Sequence, residues 1–177
     1  MSKRLIFLDL DGVLNHQLWY ESIRGPKNNV VVEPDRDFDL DYFCPWTVEL
    51  LNGLTDRTGA EIVFSSSHRS GKTVEECAEF LKKGGVTGKV IGRTPKLWFQ
   101  SDMEGYSYSV PRGCEIKAWL ETNKGILGAK MEEVRYVILD DDSDMMYWQR
   151  ENFFRVDAYC GLTPNLIYRI ERFLTRK

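Results

Sequence analysis

The chain lacks any long apolar run. No window approaches about 18 consecutive apolar residues, which excludes a membrane-spanning helix. Cysteine is scarce and scattered: Cys44, Cys77, Cys114 and Cys160 form no Cys-x-x-Cys pair and no Cys/His spacing. Reduced structural thiols in a cytoplasmic protein are therefore expected. Positive charge is not in excess, since 24 Lys and Arg stand against 27 Asp and Glu, a formal charge of −3. No bulk positive field advertises nucleic acid, and only a local basic patch could serve that purpose. Internal repeats and low-complexity tracts are absent. The opening "MSKRLIFLDLD" sets two basic residues before apolar ones, but Asp9 and Asp11 cut the run short and no small-residue cleavage site follows, so no signal peptide is expected.

What is present suits an ordinary globular domain. The 177 residues, 42% hydrophobic and 29% charged, supply enough material for a real core, and a single domain over residues 1–177 is expected. A short apolar run, a turn and an amphipathic helix recur along the chain. "RLIFLD" reads as a strand buried on both faces, followed by a helix in "PWTVELLNGLTDRTG" that Pro45 enters and Gly59 stops. "AEIVFSS" is the next strand, "TVEECAEFLKKGG" a helix with Thr73 as N-cap, and "KVIGRT" a short strand. "RGCEIKAWLETN" reads as helix, "VRYVILDDD" and "NFFRVD" as strands, and "TPNLIYRIERFLTRK" as the closing helix with Pro164 near its start. Strands alternating with helices imply an α/β fold, a parallel sheet covered on both faces. Residues 16–44 and 95–111 read as irregular, and loops of that length are commonly lids, binding loops or disordered.

Open α/β sheets bind ligands beyond the carboxyl ends of their strands, where strand order switches. Three strands end in residues suited to such a site: Asp9-Leu10-Asp11, Ser65-Ser66-Ser67-His68-Arg69, and Asp140-Asp141-Asp142-Ser143-Asp144. Side chains alternate along a strand, so Asp9 and Asp11 start on one side and can share a small site. Gly12 lets the backbone turn sharply without a Cβ clash. Carboxylates gathered from two strand ends repel unless a cation lies between them, and hard oxygen ligands suit Mg²⁺. A carboxylate can also attack phosphorus to give an aspartyl-phosphate while a second carboxyl moves protons.

These residues resemble the motifs of the haloacid dehalogenase (HAD) superfamily of phosphohydrolases. "DLDGVLN" is similar to its first motif, and "IVFSSSHR", "PRGCEI" and "VILDDDSDM" resemble the second, third and fourth in the right order. The resemblance runs from residue 4 to about residue 164. It is closest to a small, nearly capless branch related to the HAD domains of RNA-repair (Swiss-army-knife) proteins, through "SSSHR", "GRTP", "RGCEIKAWL" and "LDDDSDM". His68 stands where those relatives usually carry tryptophan. The resemblance implies a Rossmann-like three-layer sandwich around a mostly parallel five-stranded sheet of order 5-4-1-2-3. Cap insertions would be minimal, at residues 16–44 and 95–111.

The resemblance also implies roles. Asp9 would be nucleophile and metal ligand. Asp11 would be general acid and then base, binding the metal through its backbone carbonyl. Ser65 or Ser66 would hydrogen-bond the phosphoryl oxygens. Arg112 would fill the cationic third-motif position, with Lys117 as alternative. Asp140 would complete the metal site, with Asp141 and Asp144 as direct or water-bridged partners; read from the residues alone, Asp142 and Ser143 serve only as an acidic helix N-cap. Arg69 is open between a phosphate contact and a salt-bridge partner. His68 reads as structural or solvent-facing, because acid and base are already assigned. Trp98, Phe99, Tyr106 and Tyr108 could stack on a flat substrate or pack a lid.

The function expected is a Mg²⁺-dependent phosphatase with an aspartyl-phosphate intermediate. Its substrate would be a nucleotide or a polynucleotide 3′-phosphate end, with a phosphoprotein or small metabolite as alternatives. No membrane and no obligate protein partner is implied. From other classes, a signalling receiver would need its phosphate-accepting Asp on the middle strand, where "KVIGRT" has none. A domain that merely binds phosphate would not need both Asp9 and Asp11.

Overall fold

The computed structural model describes residues 3–24, 43–100, 107–128 and 133–176. The sheet strands are β1 (Lys3–Leu8), β2 (Glu61–Phe64), β3 (Val90–Arg93), β6 (Val134–Asp140) and β7 (Phe153–Arg155). They lie in the order β3-β2-β1-β6-β7, and every pairing is parallel. Counted along the chain, this is the expected 5-4-1-2-3 order. The helices are α1 (Gln17–Arg24), α2 (Pro45–Thr58), α3 (Val74–Lys83), α4 (Arg112–Thr122), α5 (Lys124–Leu127) and α6 (Pro164–Thr175). A separate two-stranded ribbon pairs β4 (Trp98–Gln100) with β5 (Ser107–Ser109). Among the described residues no helix is long and apolar enough to cross a membrane.

The unbroken apolar run of β1 is explained by burial on both faces. Ile6 and Leu8 join Ile62, Phe64, Val137 and Leu139 in one core with Leu51 and Leu54 of α2, Leu81 of α3 and Ile170 of α6. Leu5 and Phe7 face the other way, packing with Val63, Ile138 and the α4 residues Ile116 and Trp119. Phe7 meets Trp119 edge to face at 5.5 Å. Strand alternation thus divides the molecule into three layers, with α2, α3 and α6 on one side and α4 and α5 on the other.

Local signals set the helix ends. Pro45 opens α2 at a position where its missing N–H is not needed, and Gly59 closes it with φ of 64° and its N–H on Thr55 O. Thr73 and Glu76 form a reciprocal capping box at the start of α3. Thr163 caps α6 through Leu166 N, ahead of Pro164.

Two stretches differ from the irregular reading. Residues 16–44 contain α1, whose first turn is tied to a distant loop by Gln17 N–H to Ala158 O and Leu18 N–H to Tyr159 O. The charge-rich residues 33–42 lie outside the described residues. Residues 95–111 contain the β4–β5 hairpin, and Tyr106 also lies outside the described residues. Paired residues in the hairpin are Trp98 with Ser109 and Phe99 with Tyr108. Because paired residues share a face and neighbours alternate, Trp98 and Tyr108 stand on opposite faces and cannot form one stacking platform.

Beyond β1 the chain turns at Gly12, where φ is 71° and an added Cβ would lie 2.5 Å from Asp141 Cγ. Gly12→Ala therefore adds left-handed strain of about 1–2 kcal/mol and pushes the Asp141 carboxylate aside. Thermal denaturation of this variant should show a loss of stability of at least that size. An unchanged Tm would contradict the close approach.

Candidate active site

Strand order switches between β1 and β6, and register brings their ends together. Leu8 pairs with Leu139, and Asp9 N–H then donates to Leu139 O at 2.9 Å. Asp9 and Asp140 are consequently neighbours, both buried. Each of Asp9, Asp140 and Asp141 offers a carboxylate oxygen, and these oxygens lie within 4.8 Å of one another. They line a cavity of about 370 Å³ together with Asp11, Ser67, Arg112, Asp142 and Asp144.

Burial is the main cause that raises the Asp140 pKa to about 8, and the charge of Asp9 adds to it. Burial likewise raises Asp9 to about 6, against the opposing pull of Arg112 and a hydrogen bond from Ser66. Asp141 is also raised, again chiefly by burial. A set of hard oxygens that destabilise one another's charge fits a hard divalent cation such as Mg²⁺.

Asp11 is placed differently from this trio. Its half-exposed carboxylate accepts from Asn15 Nδ2 at 3.1 Å through Oδ1 and lies 3.1 Å from His68 Nε2 through Oδ2. Asp144 accepts from Arg112 N–H at 2.7 Å, so it serves the first turn of α4 rather than joining the trio. Asp142, read only as a helix N-cap, lines the cavity as well, while its N–H donates to Asp140 Oδ1.

The cations separate sharply. Arg112 Nε lies 3.7 Å from Asp140 Oδ2, and its Nη1 lies 3.4 Å from Glu115 Oε2. Lys117 points elsewhere, to Glu121 and over the Trp148 ring at 5.6 Å, and does not line the cavity. Of the two readings open for Arg69, the geometry favours the salt-bridge partner over the phosphate contact. Its buried guanidinium donates to the carbonyls of Thr94, Ser65, Ser66 and Pro95 and pairs with Glu115, so its donors are engaged away from the cavity. Desolvation lowers its pKa.

Ser65 and Ser66 are buried beneath the cavity. Ser65 Oγ faces Thr94 Oγ1 at 3.4 Å, and Ser66 Oγ accepts from His68 N–H. The serine that lines the cavity is Ser67, the third of the run, whereas the phosphoryl contact is expected from Ser65 or Ser66.

A family model for the HAD domain in Swiss Army Knife RNA repair proteins matches residues 5–167. The chain belongs to this family. Membership in a HAD family implies a hydrolase of the phosphatase type. No curated protein and no solved structure matches this HAD domain.

Three features of the HAD domain escaped sequence reasoning. Glu115 is buried and binds Arg69, Arg112 and the N–H of Leu97. Gln149 is buried and ties Gly113 O to Met146 N–H. His68, read as structural or solvent-facing, touches Asp11 while stacking on Phe80 with ring centroids 5.9 Å apart. The hydrogen bond with Asp11 is the main cause raising its pKa. All three roles depend on partners distant in sequence. Only the "RGCEI" motif, where a glutamate follows Arg112 by three residues, offered a hint.

The raised carboxyls make the metal-free protein sensitive to pH. In the folded chain they retain protons that the unfolded chain releases near the ordinary value of 3.8. Their contribution is thus complete below that value and is lost as pH rises through about 6 for Asp9 and about 8 for Asp140. The Tm of metal-free protein should fall across this window, Mg²⁺ should restore it most at the upper end, and Asp140→Asn should flatten the fall. A metal-free Tm that rises across the window would contradict this electrostatic account.

Proposed function

We propose that this chain is a Mg²⁺-dependent phosphatase working through an aspartyl-phosphate on Asp9, with a nucleotide or polynucleotide 3′-phosphate end as substrate. The observation that carries the reading is the convergence of the Asp9, Asp140 and Asp141 oxygens within 4.8 Å, with Arg112 beside them. Asp9, Asp140 and Asp141, with the Asp11 carbonyl, would hold Mg²⁺, which when bound neutralises charge on the phosphoryl group. An Asp9 oxygen bonds phosphorus as the ester P–O bond breaks, and Asp11 gives its proton to the departing oxygen. Water then attacks the aspartyl-phosphate, passing a proton to Asp11 and freeing phosphate and Asp9. Arg112 favours the ionised Asp9 that attack requires.

The substrate class rests on the RNA-repair family and on a cation and an open ring near the turn that holds Ser67. Lys96 Nζ donates to Ser70 Oγ at 3.0 Å and lies 4.8 Å from the Trp98 ring. Ser70 closes the turn that carries Ser67 into the cavity. Trp98 is 55% exposed, an open flat face beside a cation. Tyr108, although 59% exposed, stands on the hairpin's other face.

Asp9→Asn should lower turnover by about 10⁴-fold or more on 3′-phosphate oligonucleotides assayed with Mg²⁺, while far-UV circular dichroism stays unchanged. Substantial hydrolysis by the pure variant would refute the covalent route. Trp98→Ala should raise KM for the oligonucleotide about 5- to 50-fold, in keeping with ~1–3 kcal/mol per stacked base, and leave kcat and Tm nearly unchanged. Equal losses on an oligonucleotide and on a generic aryl phosphate would remove the stacking role.

A further inference from the structure

We infer that His68 is a positioning residue that fixes the carboxylate of Asp11 for proton delivery to the leaving group. The inference rests on the phosphatase reading above, in which Asp11 is the acid.

Asp11 follows the buried strand end and has a half-exposed side chain. A carboxylate in that position gains rotamer freedom, and a poorly oriented acid is a poor one, since proton transfer needs hydrogen-bond reach of the leaving oxygen. The structure opposes that freedom from two sides. Asn15 Nδ2 donates to Oδ1, and His68 Nε2 lies 3.1 Å from Oδ2. Each carboxylate oxygen can take part in more than one hydrogen bond, so these two contacts do not by themselves bar the leaving group.

His68 is itself anchored. Its ring lies nearly parallel to Phe80, with 14° between the planes. Phe80 packs in turn on Phe43 and Phe64. The His68 N–H donates to Ser66 Oγ, and its carbonyl accepts from Lys72 Nζ at 2.9 Å. The imidazole thus links the aromatic core to one oxygen of Asp11. Structural packing alone explains the stack but not a ring nitrogen 3.1 Å from the carboxylate of Asp11, which lines the cavity outside the convergent trio.

The distinguishing experiment varies the leaving group. A para-nitrophenyl phosphate departs without needing a proton, whereas a ribonucleoside 3′-phosphate does not. Single-turnover kinetics, which read aspartyl-phosphate formation apart from its hydrolysis, and steady-state KM should be measured on both esters for wild type, His68→Phe, which keeps a stackable ring without a nitrogen, and His68→Gln, which restores a side-chain N–H donor. His68→Phe should lose about 10- to 100-fold in the single-turnover rate on the nucleoside ester, less than about threefold on the aryl ester, with KM and Tm near wild type. His68→Gln should recover most of the lost rate. Equal losses on both esters, a loss confined to KM, or a folded His68→Gln no better than His68→Phe would overturn the role of His68 while leaving the phosphatase reading intact. A wild-type protein that hydrolyses neither ester with Mg²⁺ would overturn both.

Discussion

The repulsion among Asp9, Asp140 and Asp141 is the constraint around which the rest is arranged. At the observed spacing, two ionised carboxylates repel by roughly 3–4 kcal/mol at an effective dielectric of about 20, and burial adds a desolvation penalty. An isolated loop would relieve this by spreading. Here Asp9 and Asp140 follow strand residues that are paired in register and packed on both faces, so the backbone cannot part without unmaking the core. The apolar strands thus hold open a site that favours a divalent cation or extra protons.

Arg112 offsets part of that charge, and its aim is set by a second buried assembly. Arg69 draws together the ends of β2 and β3 through the Ser65, Ser66 and Thr94 carbonyls, then pairs with Glu115 of α4. Glu115 also binds Leu97 N–H at the root of the hairpin and the Arg112 guanidinium. A buried ion pair is weak evidence for stability in itself, because desolvation consumes most of its Coulombic gain. Its identifiable effect here is geometric. It joins the β2 turn, the β3 exit and α4, so Arg112 meets Asp140 from a fixed direction.

Most of the scaffold was legible because its signals are local. The unbroken "LIFL" and "VILD" runs mark strands buried on both sides, and Thr73 with Glu76, Pro45 and Gly59 mark helix ends through bonds spanning only a few residues. The hairpin was not legible, since three-residue strands such as Ser107–Ser109 carry too few apolar positions to show alternation. Helix α1 was hidden for a related reason: its start is tied to residues 158 and 159, nearly the whole chain away. Within the site, the acidic residues announced themselves as a class, but their division of labour did not. Asp144 and Asp141 look alike in "DDDSD", and only the fold turns one onto the start of α4 and the other toward Asp9. Arg69 stayed open in the sequence between phosphate and a salt bridge, because an arginine beside serines suits either; the fold pairs it with Glu115 and with carbonyls at the ends of two buried strands.

The spacing of the first motif now has a physical explanation. Asp9 and Asp11 begin on one side of an extended chain, but the Gly12 turn sends them into different media. Asp9 stays among buried strand ends, where low dielectric strengthens its interactions with Arg112 and a cation. Asp11 emerges half-exposed, where protons can be exchanged with water. Leu10 between them is fully buried and pins the segment to the core, so neither carboxyl can drift into the other's place. In the proposed reaction a nucleophile would need the first setting and an acid–base group the second. One intervening apolar residue, followed by a residue able to adopt positive φ, separates them with the least chain.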